Sequence, residues 1–272
     1  LIVVGLAAWA TTLDGAATGY AVYLMPDMDE LMNPVVWRAA AAQAFFSLSL
    51  GMGAMLTFAS YLSRDQNMPE SAFVVAFTDF GVAFIAGLVV FPVIYSLGLQ
   101  SAVGASTVGA LFIALPGAFE AMGGPGRIVG TFFFVALAVG ALTSAISLLE
   151  VVTASVMDEF KLPRRSAAIA TGAVIAALGV LPALSTDALG LMDKIAGELL
   201  LVAGALATAV LAGWKARREV EDELTLGASS FWARQVPRIL GVLRFVVPPI
   251  VAIVLYFSLR ETVDAVRGFM GG

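Results

Sequence analysis

The chain has no cysteine and no histidine among its 272 residues. Those two absences exclude disulfides, thiol nucleophiles, imidazole metal ligands and a Ser-His-Asp triad within it. Charge is scarce too: 13% of residues are Asp, Glu, Lys or Arg, against 60% that are hydrophobic. A soluble globular domain carries about a quarter charged residues, so this composition is not that of a soluble domain. The net charge is −5 and the sequence pI is near 4.8. A nucleic-acid partner needs a basic patch, and none is expected here. The basic start and small-residue cleavage site of a signal peptide are also missing. The chain opens Leu1-Ile2-Val3-Val4, inside an apolar segment, and this reads as a cut through a helix, with further spans of the same protein upstream.

What is present is apolar and gathered into runs. Residues 39–62, 128–149 and 166–186 carry no charge, and between Glu70 and Glu120 the only charge is Asp79. Each run is long enough for a helix to cross the hydrocarbon of a bilayer, which takes about 18–20 residues. The resulting layout has the end of a transmembrane helix at 1–12 and an acidic extracellular loop at 13–36. A transmembrane helix with a break follows at 37–62, and another helix at 70–98. Residues 99–126 hold Pro116 and Gly123-Gly124-Pro125-Gly126, too broken for a span, and read as an extracellular hairpin packed on protein. Further transmembrane helices are expected at 127–158, 164–184, 191–214 and 237–259, with a cytoplasmic loop at 215–236 and a tail at 260–272.

Lys and Arg set the orientation. With sides alternating, one side holds nine: Arg64, Lys161, Arg164, Arg165, Lys215, Arg217, Arg218, Arg234 and Arg238. The other holds five: Arg38, Arg127, Lys194, Arg260 and Arg267. The richer side is therefore expected in the cytoplasm of a multi-pass protein of the cell membrane.

Three features carry chemistry. Phe45-Phe46-Ser47-Leu48-Ser49-Leu50-Gly51-Met52-Gly53 lies mid-way along a charge-free run. Glycine costs a helix about 1 kcal/mol against alanine, and a break at membrane depth persists only where the freed backbone lines a cavity or holds an ion. Packing by small residues is the other reading, and spacing alone leaves both standing. Asp79 is the second feature. A carboxylate at mid-membrane costs about 2.5–3.5 kcal/mol on insertion scales, so it is paired, protonated or bound to a cation. The third is Gly140-x-x-Thr143-Ser144-x-x-Ser147-Leu148, which falls on one helix face. Its hydroxyls either suit a hard cation or bond back to the preceding turn.

Together these motifs resemble the neurotransmitter:sodium symporter family. Gln43 to Leu62 looks like that family's sixth helix, Asp79 with Ala86-Gly87-Leu88-Val89-Val90-Phe91-Pro92 its seventh, and Ala141 to Glu150 its eighth. The likeness runs from the tail of the fifth helix to the eleventh. It implies an all-α integral membrane protein of the LeuT-like fold, holding the second inverted repeat plus one further helix, with the first half absent. It implies a truncated sodium-coupled amino-acid symporter, not an enzyme, with two sodium sites and no organic cofactor. Its partners would be an amino-acid substrate, sodium ions, the lipid bilayer and the missing N-terminal helices.

The same resemblance implies roles by position. Ser47 and Asp79 match one sodium site, and Gly140, Thr143 and Ser144 the other. Phe46, Ser47, Ser49, Met52, Ser144 and Leu148 match the substrate pocket, with Phe46 as its lid. Asp193 matches the acidic half of an outer gate, and Tyr61, Glu150 and Asp158 match inner-gate positions. Glu150 departs from the Gln of a bacterial leucine transporter. Asp79 stands where animal members carry Asn and bind chloride nearby, and Ala83 where others place a chloride-ligating Ser. Phe46, Met52 and Leu148 suggest an apolar or aromatic amino acid, transported without chloride. A non-transporting receptor or accessory subunit of the same fold is the alternative, and the retained Ser47, Asp79, Thr143 and Ser144 count against it.

Overall fold

A computed structural model of the chain describes residues 1–25, 27–63, 65–103 and 110–271. Arg64 and residues 104–109, part of the expected hairpin, lie outside them. All regular structure among the described residues is helical. Among the described residues, five helices are long and apolar enough to cross a membrane: Met68–Ser96, Gly124–Phe160, Arg164–Leu184, Thr186–Lys215 and Ser230–Gly268. The chain is a multi-pass membrane protein. The apolar run at 37–62 is not among the five, because it forms two half-helices, Pro34–Ser47 and Ala54–Ala59.

The segments expected as loops carry helix as well. Ala16–Leu24 is helical inside the stretch 13–36, starting behind Gly15 at φ 83°. Its sequence AATGYAVYL contains no proline, so no missing N–H breaks the helix, and Gly19 is kept for the close approach described below. Arg217–Thr225 is helical within 215–236, and residues 260–271 of the expected tail belong to the helix Val247–Gly271. In the hairpin, Gln100–Val103, Ala110–Ala114 and Leu115–Ala121 are helical turns.

The chain forms two compact units. One comprises Leu1–Met32 with Phe77–Ser144, the other Asn33–Ala76 with Ala145–Gly272. In the first unit the core is Leu6, Val89, Val93, Val103, Ala114, Leu115, Ala118 and Phe119. Helix Ala16–Leu24 lies against helix Met68–Ser96 through glycines that remove the side chain where the two meet. A Cβ on Gly19 would fall 2.6 Å from the carbonyl oxygen of Phe91, and one on Gly87 would fall 2.2 Å from the ring of Tyr23. The Tyr23 ring instead stacks on Phe91 at 4.8 Å, and its hydroxyl donates to the Phe84 carbonyl at 3.1 Å.

In the second unit the core is Val202, Ala205, Val251 and Val254, with Ala41 and Phe45 packed against it. The first half-helix begins cleanly: Asn33 accepts from the Val35 N–H at 3.0 Å, and Pro34 fills the first helical position. Both are favoured there because the first-turn N–H groups have no helical partner.

Candidate functional site

The break between the half-helices organises the site. Helical hydrogen bonding ends with the Leu50 N–H donating to the Phe45 carbonyl at 2.8 Å. It resumes when the Thr57 N–H donates to the Gly53 carbonyl at 2.9 Å. Between these points Ser49, Gly51 and Gly53 all take positive φ, at 54°, 84° and 80°. Gly51 is also pressed onto another backbone. A Cβ there would sit 2.2 Å from the Leu201 carbonyl oxygen, and one on Gly204 would sit 2.0 Å from the Gly51 carbonyl oxygen. The irregular stretch therefore runs flush along the helix that carries Leu201 and Gly204, and neither glycine admits a side chain.

This contact shapes a cavity of about 360 Å³ lined by Phe46, Gly51, Met52, Asp193, Ala196, Gly197, Leu200 and Leu201. Phe46, on the last turn of the first half-helix, is 56% exposed. Of the residues expected at a substrate pocket, Phe46 and Met52 line this cavity, and Asp193 joins them. Ser49 lines a different cavity of about 320 Å³, walled by Phe45, Leu50, Met55, Ala205, Leu243 and Val251 among others. The positive φ at Ser49 and Gly51 turns successive side chains to opposite sides, which separates Ser49 from Met52. Leu148 and Ser144 are exposed on the helix Gly124–Phe160 and line neither cavity.

Four cavity residues were not named from sequence: Ala196, Gly197, Leu200 and Leu201. Their spacing from Asp193 is that of a single helix face, and that periodicity was the available signal. The stretch Asp193–Leu200 is π-helical, a rare wide turn that recurs at functional sites. Within it, a Cβ on Gly197 would fall 2.9 Å from Asp193 Oδ1, so the glycine leaves room for the carboxylate.

The candidate sodium residues fall in both units. Gly140, Thr143 and Ser144 belong to the first, where the Thr143 hydroxyl donates to the Gly140 carbonyl at 2.8 Å. Two of the three expected ligand oxygens are thereby neighbours, and the hydroxyl keeps its lone pairs for a cation. Nothing lies within 4 Å of a Cβ on Gly140, so this face is open. Asp79 is half-buried on the helix Met68–Ser96 in the first unit, whereas Ser47 ends the first half-helix in the second.

The inner-gate candidates all belong to the second unit. The Tyr61 hydroxyl donates to Glu150 Oε1 at 3.0 Å, and Arg164 Nη2 bonds Glu150 Oε2 at 2.8 Å. Glu150 therefore joins a tyrosine beyond the break to the start of the next long helix. Asp158 is exposed two turns further along the helix Gly124–Phe160. Arg164, which sequence reading used only for orientation, is the partner it missed.

Comparison with known proteins places this geometry in context. The profile of the sodium:neurotransmitter symporter family matches residues 1–266. An uncharacterized sodium-dependent transporter of Haemophilus influenzae is 28% identical over 271 residues, covering 95% of this chain and 58% of its own length. Another from Methanocaldococcus jannaschii is 34% identical over 215 residues, covering 75% of this chain and 43% of its own. The chain thus spans about half the length of these curated relatives. The sodium-dependent nutrient amino acid transporter 1 of Drosophila virilis is 31% identical over 159 residues, 56% of this chain and 25% of the relative. Among solved structures, MhsT in complex with L-phenylalanine aligns with a TM-score of 0.82 at 36% identity, covering 94% of this chain and 59% of MhsT. That match gives the fold as LeuT-like.

Proposed function

The chain belongs to the sodium:neurotransmitter symporter family, and from that premise we propose that it forms part of a sodium-coupled symporter for apolar or aromatic amino acids. The observation that carries the substrate class is the lining of the 360 Å³ cavity, where Phe46, Met52, Leu200 and Leu201 meet a single charged group, Asp193. An aliphatic or aromatic side chain fits such walls. An anionic side chain would lose its hydration there and meet Asp193 with no basic residue on the walls. Met52 adds adaptability, because a thioether repacks around different shapes at little cost. L-phenylalanine bound to MhsT is consistent with the same class.

Coupling needs no covalent chemistry. Sodium at Gly140, Thr143 and Ser144, and at Ser47 with Asp79, would favour whichever conformation brings those oxygens into coordination. An ion shifts such an equilibrium only by its differential affinity for the two states. Substrate and ions then act together because residues of the broken helix serve both. Phe46 closes the cavity from one end. Asp193 on its wall is half of an outer gate, and Tyr61 with Glu150 forms an inner gate. Asp158 serves the same inner gate.

The test is uptake by the full-length protein in proteoliposomes, with leucine, phenylalanine, tryptophan, glutamate and lysine compared in sodium and in potassium. Sodium-dependent uptake of the first three is expected. Tighter binding of glutamate or lysine would remove the substrate assignment, and uptake indifferent to sodium would remove the coupling.

A further inference from the structure

A charged cluster built around one buried arginine lies beside the cavity in the second unit and has no part in the roles assigned so far. Arg38, one turn into the first half-helix, is buried at 8% exposure. Its Nη1 meets Glu198 Oε2 at 2.5 Å, and its Nη2 meets Glu261 Oε2 at 2.6 Å. Lys194 Nζ reaches the other oxygen of Glu261 at 2.5 Å. Two cations and two carboxylates thus form a neutral chain of four, Glu198–Arg38–Glu261–Lys194, across three helical elements: Pro34–Ser47, Thr186–Lys215 and Val247–Gly271.

The placement of these charges follows the cavity. Asp193 and Gly197 face it, while the next residue along from each, Lys194 and Glu198, faces the network. One π-helical stretch therefore presents a cavity row and an ionic row side by side. On the partner element, Arg38 and Phe46 share the same 14-residue half-helix. Whatever fixes Arg38 against Glu198 also fixes Phe46 against Asp193. A guanidinium suits this task, because its planar fork offers separate donors to two carboxylates. A single ammonium has no such geometry.

We propose that Arg38 is a positioning residue: through Glu198 and Glu261 it seats the first half-helix on the π-helical stretch and so sets how Phe46 covers the cavity. The inference deepens the reading of that cavity as the solute site, yet it depends only on Phe46 covering it and on no transported solute. It predicts that loss of the fork leaves the helices folded but uncovers the cavity. Breaking one side of a buried ion pair strands the remaining charge, so the partners must be varied as a set.

The experiment reads the cavity directly. Ala196 lines it, and these 272 residues contain no native cysteine, so Ala196→Cys is the one thiol within them, and labelling is read against the same protein without that substitution. Its rate of modification by a small charged methanethiosulfonate is measured in the purified protein, beside thermal stability by fluorescence-detected size exclusion. Arg38→Gln should raise the rate several-fold, and Arg38→Lys should do so partially. The exchange Arg38→Glu with Glu198→Arg restores one pair and should bring the rate back toward wild type. A folded Arg38→Gln protein that labels at the wild-type rate overturns the proposal. If Arg38→Gln fails to fold, the exchange decides: folded with wild-type labelling supports it, while raised labelling or no folded protein overturns it. Because uptake is not read, a protein that carried no amino acid would still answer.

Discussion

Ser49, Gly51 and Gly53 share left-handed backbone, but only the two glycines adopt it without a steric cost. For serine that conformation costs about 1–2 kcal/mol. Ser49→Gly should therefore raise the melting temperature, unless the greater freedom of the unfolded chain cancels the gain. Gly51→Ala and Gly204→Ala should do the opposite, since each new methyl meets a backbone oxygen at 2.2 Å or less. Losses of about 1–3 kcal/mol or more are expected from overpacking of this kind. Gly140→Ala is the contrast: inside the helix Gly124–Phe160 with nothing within 4 Å of the new methyl, it should raise the melting temperature, since alanine favours a helix over glycine by about 1 kcal/mol. At the candidate ion site, Thr143→Ala with Ser144→Ala should weaken apparent sodium affinity sharply in equilibrium binding. Amino-acid affinity should fall only as far as linkage carries it. Unchanged sodium dependence would return both hydroxyls to helix packing, the role the Thr143 bond to Gly140 already fills.

At the scale of elements, charge-free runs announced the long helices, and Ser and Gly at 47–53 announced the break. Other features left no such mark. Arg38 looks like an ordinary charge near a helix start, and its partners lie far along the chain, Glu198 at a separation of 160 residues. No local pattern encodes a contact of that range. The π-helical stretch Asp193–Leu200 reads as DKIAGELL, with no residue type that marks a wide turn. Ser49 lines a cavity other than the one that Phe46 and Met52 share for a related reason: three positive-φ residues in five abolish the helical periodicity that assigns faces. The Tyr61–Glu150–Arg164 cluster tests the elements it joins. Arg164 is 68% exposed in its side chain, and a pair so wet contributes about 0–1 kcal/mol. Glu150→Gln should therefore leave thermal stability nearly unchanged, while changing the access of thiol reagents to Ser60→Cys if the cluster gates the inner end. A large fall in melting temperature would make the cluster a structural clasp instead.

For the whole molecule, the balance of charge during ion binding is the property Asp79 is expected to govern. A fixed carboxylate near bound cations can supply the negative charge that chloride supplies elsewhere in the family, and coupling is strong in a site of low dielectric. Uptake by the full-length protein should be equal in sodium gluconate and sodium chloride. Asp79→Asn should weaken it, with poor rescue by chloride unless Ala83→Ser is added. A wild type that required chloride would overturn this role. A different consequence comes from the length of the helix Gly124–Phe160. Its 37 residues extend about 55 Å at a rise of about 1.5 Å each, against hydrocarbon about 30 Å thick. The charge-free part, residues 128–149, is long enough to fill that thickness by itself. From Glu150 to Phe160 the helix runs on about 15 Å beyond its charge-free part. Its exposed tip, residues 158–163, is then the natural landing point for an antibody fragment, a protease or a fluorescent tag that must report on this end of the helix.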